Sequence, residues 1–151
     1  KILDEAIDAY KNASKINPDD DYPYKMIGEI RKYMEEHTLI KITETKTLVP
    51  GNTDIKYSFT PVNVRQRKNN YIVIKGRSET ELTPKVYLSY GEDGMKNGEI
   101  VLKNIQSGEA NEYILRVSAQ DRWYRYDNNW LKIYSEGSGF EINSIQISSG
   151  D

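Results

Sequence analysis

The densest set of groups able to contact a ligand lies in Gln120-Asp121-Arg122-Trp123-Tyr124-Arg125-Tyr126-Asp127-Asn128-Asn129-Trp130, where four aromatic residues and two arginines share eleven positions. Aromatic faces stack on the C–H surfaces of sugars, and Arg, Asp and Asn fork hydrogen bonds to adjacent hydroxyls, so the mixture suits carbohydrate or peptide recognition. The same residue types are enriched at protein–protein hot spots. Arg122, Trp123, Tyr124 and Tyr126 are therefore candidate ligand-binding residues. Arg116 joins them from the preceding segment, because in a strand it faces away from its neighbours Leu115 and Val117. The competing reading makes each tryptophan a core anchor whose indole N–H bonds inside the domain. Trp130, which opens an alternating strand pattern, is read first as such an anchor; Trp123 and Tyr124 stay open between the two.

Catalytic chemistry has little else to work with. The chain has no cysteine, which excludes thiol nucleophiles, disulfides and thiolate metal sites. Its one histidine, His37, excludes multi-histidine zinc sites and most serine-triad arrangements. At a helix end, His37 reads as a partner of the helix dipole. Glu79 with Glu81, and Glu92 with Asp93, are acid pairs in loops that a glycosidase could use, yet surface charge accounts for them more simply. Asp93, Asn97 and Glu99 offer oxygens to a calcium ion. No D-x-D-x-D-G loop is present, however, and turn chemistry explains Asp93-Gly94 and Asn97-Gly98 without metal. The run Arg65-Gln66-Arg67-Lys68 lacks adjacent stacking aromatics. A net charge of −2 further argues against a general nucleic-acid or anionic-membrane binder. No apolar run approaches the ~18 residues of a membrane span. The expectation is a protein that is not an enzyme and has no cofactor and no metal.

The elements that position the candidate loop are of two kinds. At the start, Ile2, Ala6, Ala9, Tyr10 and Ala13 recur at helical spacing, and Leu3 with Ile7 widens the apolar arc. Pro18 ends this helix. Asp19, Asp20 and Asp21 supply N-cap candidates for the next one, where Pro23 is tolerated in the first turn and Tyr24, Ile27, Ile30 and Met34 form the stripe. Ala6-x3-Tyr10-x2-Ala13-x4-Pro18 resembles the second helix of a tetratricopeptide repeat, and Tyr24-x2-Ile27-Gly28 resembles the opening of the following repeat. In that family small residues let two helices approach closely. Arg31 stands where the family prefers an aromatic residue, and no complete second repeat follows, so the second helix is expected to be a cap. The resemblance implies further repeats upstream and a protein partner docked on the array. It also leaves the Leu3–Ile7 side needing cover from the sandwich or from a neighbouring chain. The chain opens on Lys1 without initiator Met or secretory leader, and is read as a piece of a longer protein whose targeting signals lie outside it. Zero cysteines suit a bacterial cytoplasm or cell envelope equally.

After residue 38 the hydrophobic period changes to that of strands. Leu39–Leu48, Ile55–Thr60, Tyr71–Ile74, Lys85–Tyr90, Glu99–Ile105, Glu112–Ser118, Trp130–Ser135 and Phe140–Ser148 read as eight strands separated by turn residues. Charge divides the same way, with net −3 in residues 1–38 and net +1 in residues 39–151. Tyr71-Ile72-Val73-Ile74-Lys75-Gly76-Arg77, Val86-Tyr87-Leu88-Ser89-Tyr90-Gly91 and Phe140–Ile147 resemble the galactose-binding-like jelly rolls of carbohydrate-binding modules. The likeness is one of strand rhythm, and it implies a ligand-binding sandwich by analogy.

The sequence thus predicts a mainly β protein with a small α part: a tetratricopeptide-like hairpin over 1–38, and an eight-stranded antiparallel jelly-roll β-sandwich over 39–151. The expected function is non-enzymatic. The helices would serve protein–protein interaction, and the sandwich would bind a glycan or peptide. The alternatives are a carbohydrate-binding module that targets a complex to glycan, and a purely structural cap.

Overall fold

The computed structural model describes residues 3–59, 69–103, 105–106, 109–118, 121–123 and 129–150. Two helices, α1 (Leu3–Ile16) and α2 (Tyr22–Glu36), come first. Among the described residues they are followed by nine strands: β1 (Thr38–Ile42), β2 (Lys46–Leu48), β3 (Lys56–Phe59), β4 (Asn69–Ser78), β5 (Lys85–Glu92), β6 (Met95–Val101), β7 (Asn111–Ser118), β8 (Asn129–Glu136) and β9 (Phe140–Gly150). One sheet has five strands in the order β1-β9-β4-β7 with β2 also paired to β9; the other has four, β3-β8-β5-β6. Every pairing is antiparallel.

The protein is therefore mainly β, with two helices and two antiparallel sheets. It differs from the predicted strand pattern in two places. The run Leu39–Leu48 is two strands, both paired to β9, with Ile42 opposite Ile145 and Leu48 opposite Phe140. Asn97-Gly98 is not a turn. Asp93-Gly94 alone makes the β5–β6 reversal, with Gly94 at φ 73°. Asn97 instead lies where the register slips between Tyr90 and Gly91, one extra residue on β6.

The sandwich core gathers Leu48, Ile72, Ile74, Val86, Leu88, Leu131, Ile133, Phe140, Ile142, Ile145 and Ile147 from the inner faces of the two sheets. β4 is apolar on both sides, and this explains the unbroken run Tyr71–Ile74. Ile72 and Ile74 enter the core, whereas Tyr71 and Val73 face outward into a second cluster with Leu3, Ile7, Ile30 and Met34. The helical hairpin thus covers the outer face of the five-stranded sheet. Burying each of those large side chains is worth about 1.5–3 kcal/mol before ordering costs.

Polar contacts fix the hairpin on the sheet. The Leu3 N–H donates to Tyr71 Oη at 2.9 Å, and Arg31 makes two parallel bonds to Glu112, of 2.9 and 2.5 Å. The Met34 carbonyl, one of the orphan acceptors at the end of α2, receives Ser148 Oγ at 2.8 Å and Gln146 Nε2 at 3.4 Å. His37 closes that helix end, with its Nδ1 2.7 Å from the Tyr33 carbonyl and its ring stacked on Tyr33.

The cover expected over Leu3 and Ile7 is supplied by the sheet; they are 5% and 1% exposed. The tetratricopeptide detail fares differently. Ala9 and Tyr24, members of the predicted stripes, are exposed. A Cβ placed on Gly28 would meet nothing within 4 Å, so the tight helix approach that glycine serves in repeat arrays is not made among the described residues. The apolar side of the hairpin is spent on the sheet, and the described residues hold two helices.

Candidate functional site

Of the loop residues singled out by sequence, Trp123 is a core side chain. It is 3% exposed, its indole N–H donates to Asn70 Oδ1 at 2.8 Å, and Tyr90 meets it edge-on at 5.3 Å. It cannot stack on a ligand, which corrects its assignment to a binding site. Arg122 is exposed and has φ 57°, a left-handed conformation. The surrounding turn is held by Asp121 Oδ2, which accepts from the Ser118 N–H at 3.0 Å and Ser118 Oγ at 3.1 Å. Tyr124 and Tyr126 lie outside the described residues. Arg116 is elsewhere altogether: its guanidinium is 3.8 Å from Asp4 Oδ1 and 4.0 Å from Glu5 Oε1, on the helix-covered side. The structure therefore does not bring Arg116 together with Arg122 and Trp123 as one site.

A different surface brings binding chemistry together. Along β8, Leu131, Ile133 and Ser135 point inward, so the pleat turns Trp130, Lys132, Tyr134 and Glu136 outward. On β5, Val86, Leu88 and Tyr90 belong to the core, which leaves Tyr87, Ser89 and Gly91 on the outer face. Pairing sets Tyr87 opposite Tyr134, Ser89 opposite both Lys132 and Glu99, and Gly91 opposite Trp130. Unlike the five-stranded sheet, this face carries no described helix.

Each group there is held by its neighbours. The Tyr87 and Tyr134 rings stack at 4.9 Å with 14° between planes. Tyr134 Oη donates to Glu99 Oε2 at 3.0 Å, and Lys96 Nζ reaches the same oxygen at 2.8 Å. Tyr87 Oη donates to Glu136 Oε2 at 3.3 Å. Partial burial, with the adjoining Glu99 carboxylate, pushes the Tyr134 phenol up to about 12. The Lys96 hydrogen bond, followed by that of Tyr134, holds Glu99 below its ordinary range. The indole of Trp130 approaches β5 closely because position 91 is glycine: a Cβ there would sit 2.6 Å from Trp130 Cζ2. Its N–H donates to the Glu92 carbonyl at 2.8 Å, so the anchoring expected for Trp130 is present.

A polar cleft of about 820 Å3 lies between α1 and the sandwich edge formed by β6 and β7, and Arg116 lines it with Asp4, Asp8, Lys11 and Asn12. Among the described residues, no group of three or more His, Asp or Glu is placed to hold a metal ion, and no helix is long and apolar enough to cross a membrane.

No protein-family model matches the chain, and no curated protein matches it in sequence. Among solved structures it is similar to the CBM22-1 and GH10 modules of a Clostridium thermocellum endo-1,4-β-D-xylanase complexed with xylohexaose. There the TM-score is 0.50 at 12% identity, over 77% of this chain and 29% of that one. The chain thus spans less than a third of that structure. Weaker similarity is seen to the C-terminal CBM6 of a Zobellia galactanivorans laminarinase (18% identity, 75% of this chain and 94% of that one, TM-score 0.36). It is likewise seen to a Cellvibrio mixtus carbohydrate-binding module in complex with cellotriose (16% identity, 79% and 96%, TM-score 0.37). At such identities the likeness to the xylanase structure is one of fold: a β-sandwich of the kind found in carbohydrate-binding modules.

Proposed function

We propose that the chain is a non-catalytic carbohydrate-binding module that holds glycan on the outer face of its four-stranded sheet. The observation that carries this reading is the asymmetry of the sandwich. One outer face is covered by the helices, while the other carries no described helix and presents Tyr87 and Tyr134 beside Glu99, Glu136 and Lys132. Rings set among charged hydrogen-bonding groups are the combination by which proteins engage a sugar's C–H faces and hydroxyls together. The sandwich fold supports the reading at the level of architecture, through the xylanase module pair bound to xylohexaose.

The test is a polysaccharide panel followed by calorimetry on the best ligand. Tyr87→Ala and Tyr134→Ala should each weaken binding about 10-fold, equivalent to about 1.4 kcal/mol, while Arg122→Ala leaves it unchanged. Failure of the wild type to bind any glycan, or full affinity in the Tyr87→Ala/Tyr134→Ala double variant, would sink the proposal.

The second reading, a protein scaffold of the tetratricopeptide kind, draws support from Ile16, Tyr22 and Tyr24, which are 86%, 57% and 53% exposed near the turn between α1 and α2. Light scattering of the wild type against Ile16→Ser and Tyr24→Ser variants tests whether that corner associates.

A further inference from the structure

Lys56 and Lys132 stand directly opposite each other on β3 and β8, in the register that places like charges closest. Such a pair costs stability unless something offsets it. Part of the offset is visible: the two ammonium groups lie over the same indole, 6.0 and 5.3 Å from the Trp130 ring. No described carboxylate supplies the rest. The carboxylates of this face are engaged elsewhere, Glu99 by Lys96 and Tyr134 and Glu136 by Tyr87. Among the described residues no carboxylate forms an ion pair with Lys56 or Lys132. Two cations are thus converged on one aromatic surface at the edge of the proposed glycan face, and no described carboxylate compensates their charge.

Resting on the glycan-binding reading above, we infer that the ligand is an acidic glycan whose carboxylate or sulfate is held between Lys56 and Lys132. Its neighbouring sugar then extends along β8 towards Tyr134 and Tyr87. Trp130 is the base of this subsite rather than a free stacking platform, since it is 8% exposed beneath the lysines. The indole N–H bond to the Glu92 carbonyl and the close approach to Gly91 hold the ring in place, and with it the place where the ammonium groups converge.

Binding of oligogalacturonate, dextran sulfate and a neutral oligosaccharide, xylohexaose, is compared at low and at physiological salt. Wild type should prefer a charged ligand at least tenfold at low salt and lose part of that preference as salt rises. The carboxylate and sulfate arms identify which anion is read. Lys56→Gln/Lys132→Gln should abolish the preference for the charged ligand, and Lys25→Gln on α2 should change nothing. Charged ligand should also shift the fluorescence of Trp130 in wild type and not in the double variant, with folding checked by circular dichroism. Equal affinity for neutral and acidic ligands, or an unaltered preference in the double variant, overturns the inference while leaving the glycan-binding reading intact. Absence of binding to every arm overturns both.

Discussion

Tyr134 donates a hydrogen bond to a carboxylate that Lys96 already holds, and the pairing has a measurable signature in alkali. A phenol raised from 10.0 to about 12 keeps its proton more tightly in the folded chain than in the unfolded one. Its contribution is therefore fully present below pH 10 and is lost as pH rises towards 12. Tyr134→Phe should flatten that part of the alkaline stability profile, read as Tm against pH. Tyr57 is a contrasting case. Burial first, then the Glu44 charge, lifts it to about 12 as well, and its hydroxyl has no hydrogen-bond partner among the described residues. Removing an unpaired buried hydroxyl relieves a desolvation cost, so Tyr57→Phe should raise stability by about 1 kcal/mol in urea unfolding. Gly91→Ala should do the opposite. The new methyl collides first with the Met95 carbonyl oxygen on β6 and then with the Trp130 ring, and must displace the strand as well as the indole, at about 1–3 kcal/mol.

At the scale of elements, strand periodicity was legible and partnership was not. β4, β5, β7, β8 and β9 fall where alternation or an apolar run places them, because inward-facing residues recur every second position. On β8 the alternation was legible over Trp130–Ser135, but Trp130 was read as a core anchor and the outward set of Trp130, Lys132, Tyr134 and Glu136 emerges only from the structure. Its meaning depends on Lys56 and Tyr87 arriving from strands far away in the chain, and no local pattern encodes that register. The loop before β8 drew attention by composition alone, yet Trp123 is taken up by the core through Asn70. Helix periodicity located α1 and α2. It ranked the small-residue stripe above Leu3 and Ile7, whereas the sheet buries the larger side chains because they return more apolar area. Met34 sits at the centre of that contact with no exposed surface, and Met34→Ala should cost about 2–5 kcal/mol. Arg31→Met, which breaks the paired bonds to a partly exposed Glu112, should cost about 1 kcal/mol.

At the scale of the whole molecule, α1 and α2 pack on the five-stranded sheet of the sandwich. The hairpin's apolar residues and a helix-end acceptor are shared with β4 and β9, so the helices lose their burial without the sheet, and the sheet loses the cover over Tyr71 and Val73 without the helices. Thermal unfolding followed by far-ultraviolet circular dichroism and by tryptophan fluorescence should give coincident transitions, and Met34→Ala should lower both together. Separate midpoints would mean that the helices are an appendage.

Because only one side is dressed with helices, the molecule has a preferred way up. Adsorbed on a polymer through its bare sheet, it would hold Tyr24 on the far side, beyond a sheet spacing of about 10 Å and a helix layer of similar depth. The chain contains no cysteine, so a single thiol introduced at Tyr24 or at Val101 can carry a dye uniquely. Docking should quench or shift the label at Val101 and leave the one at Tyr24 in open solvent.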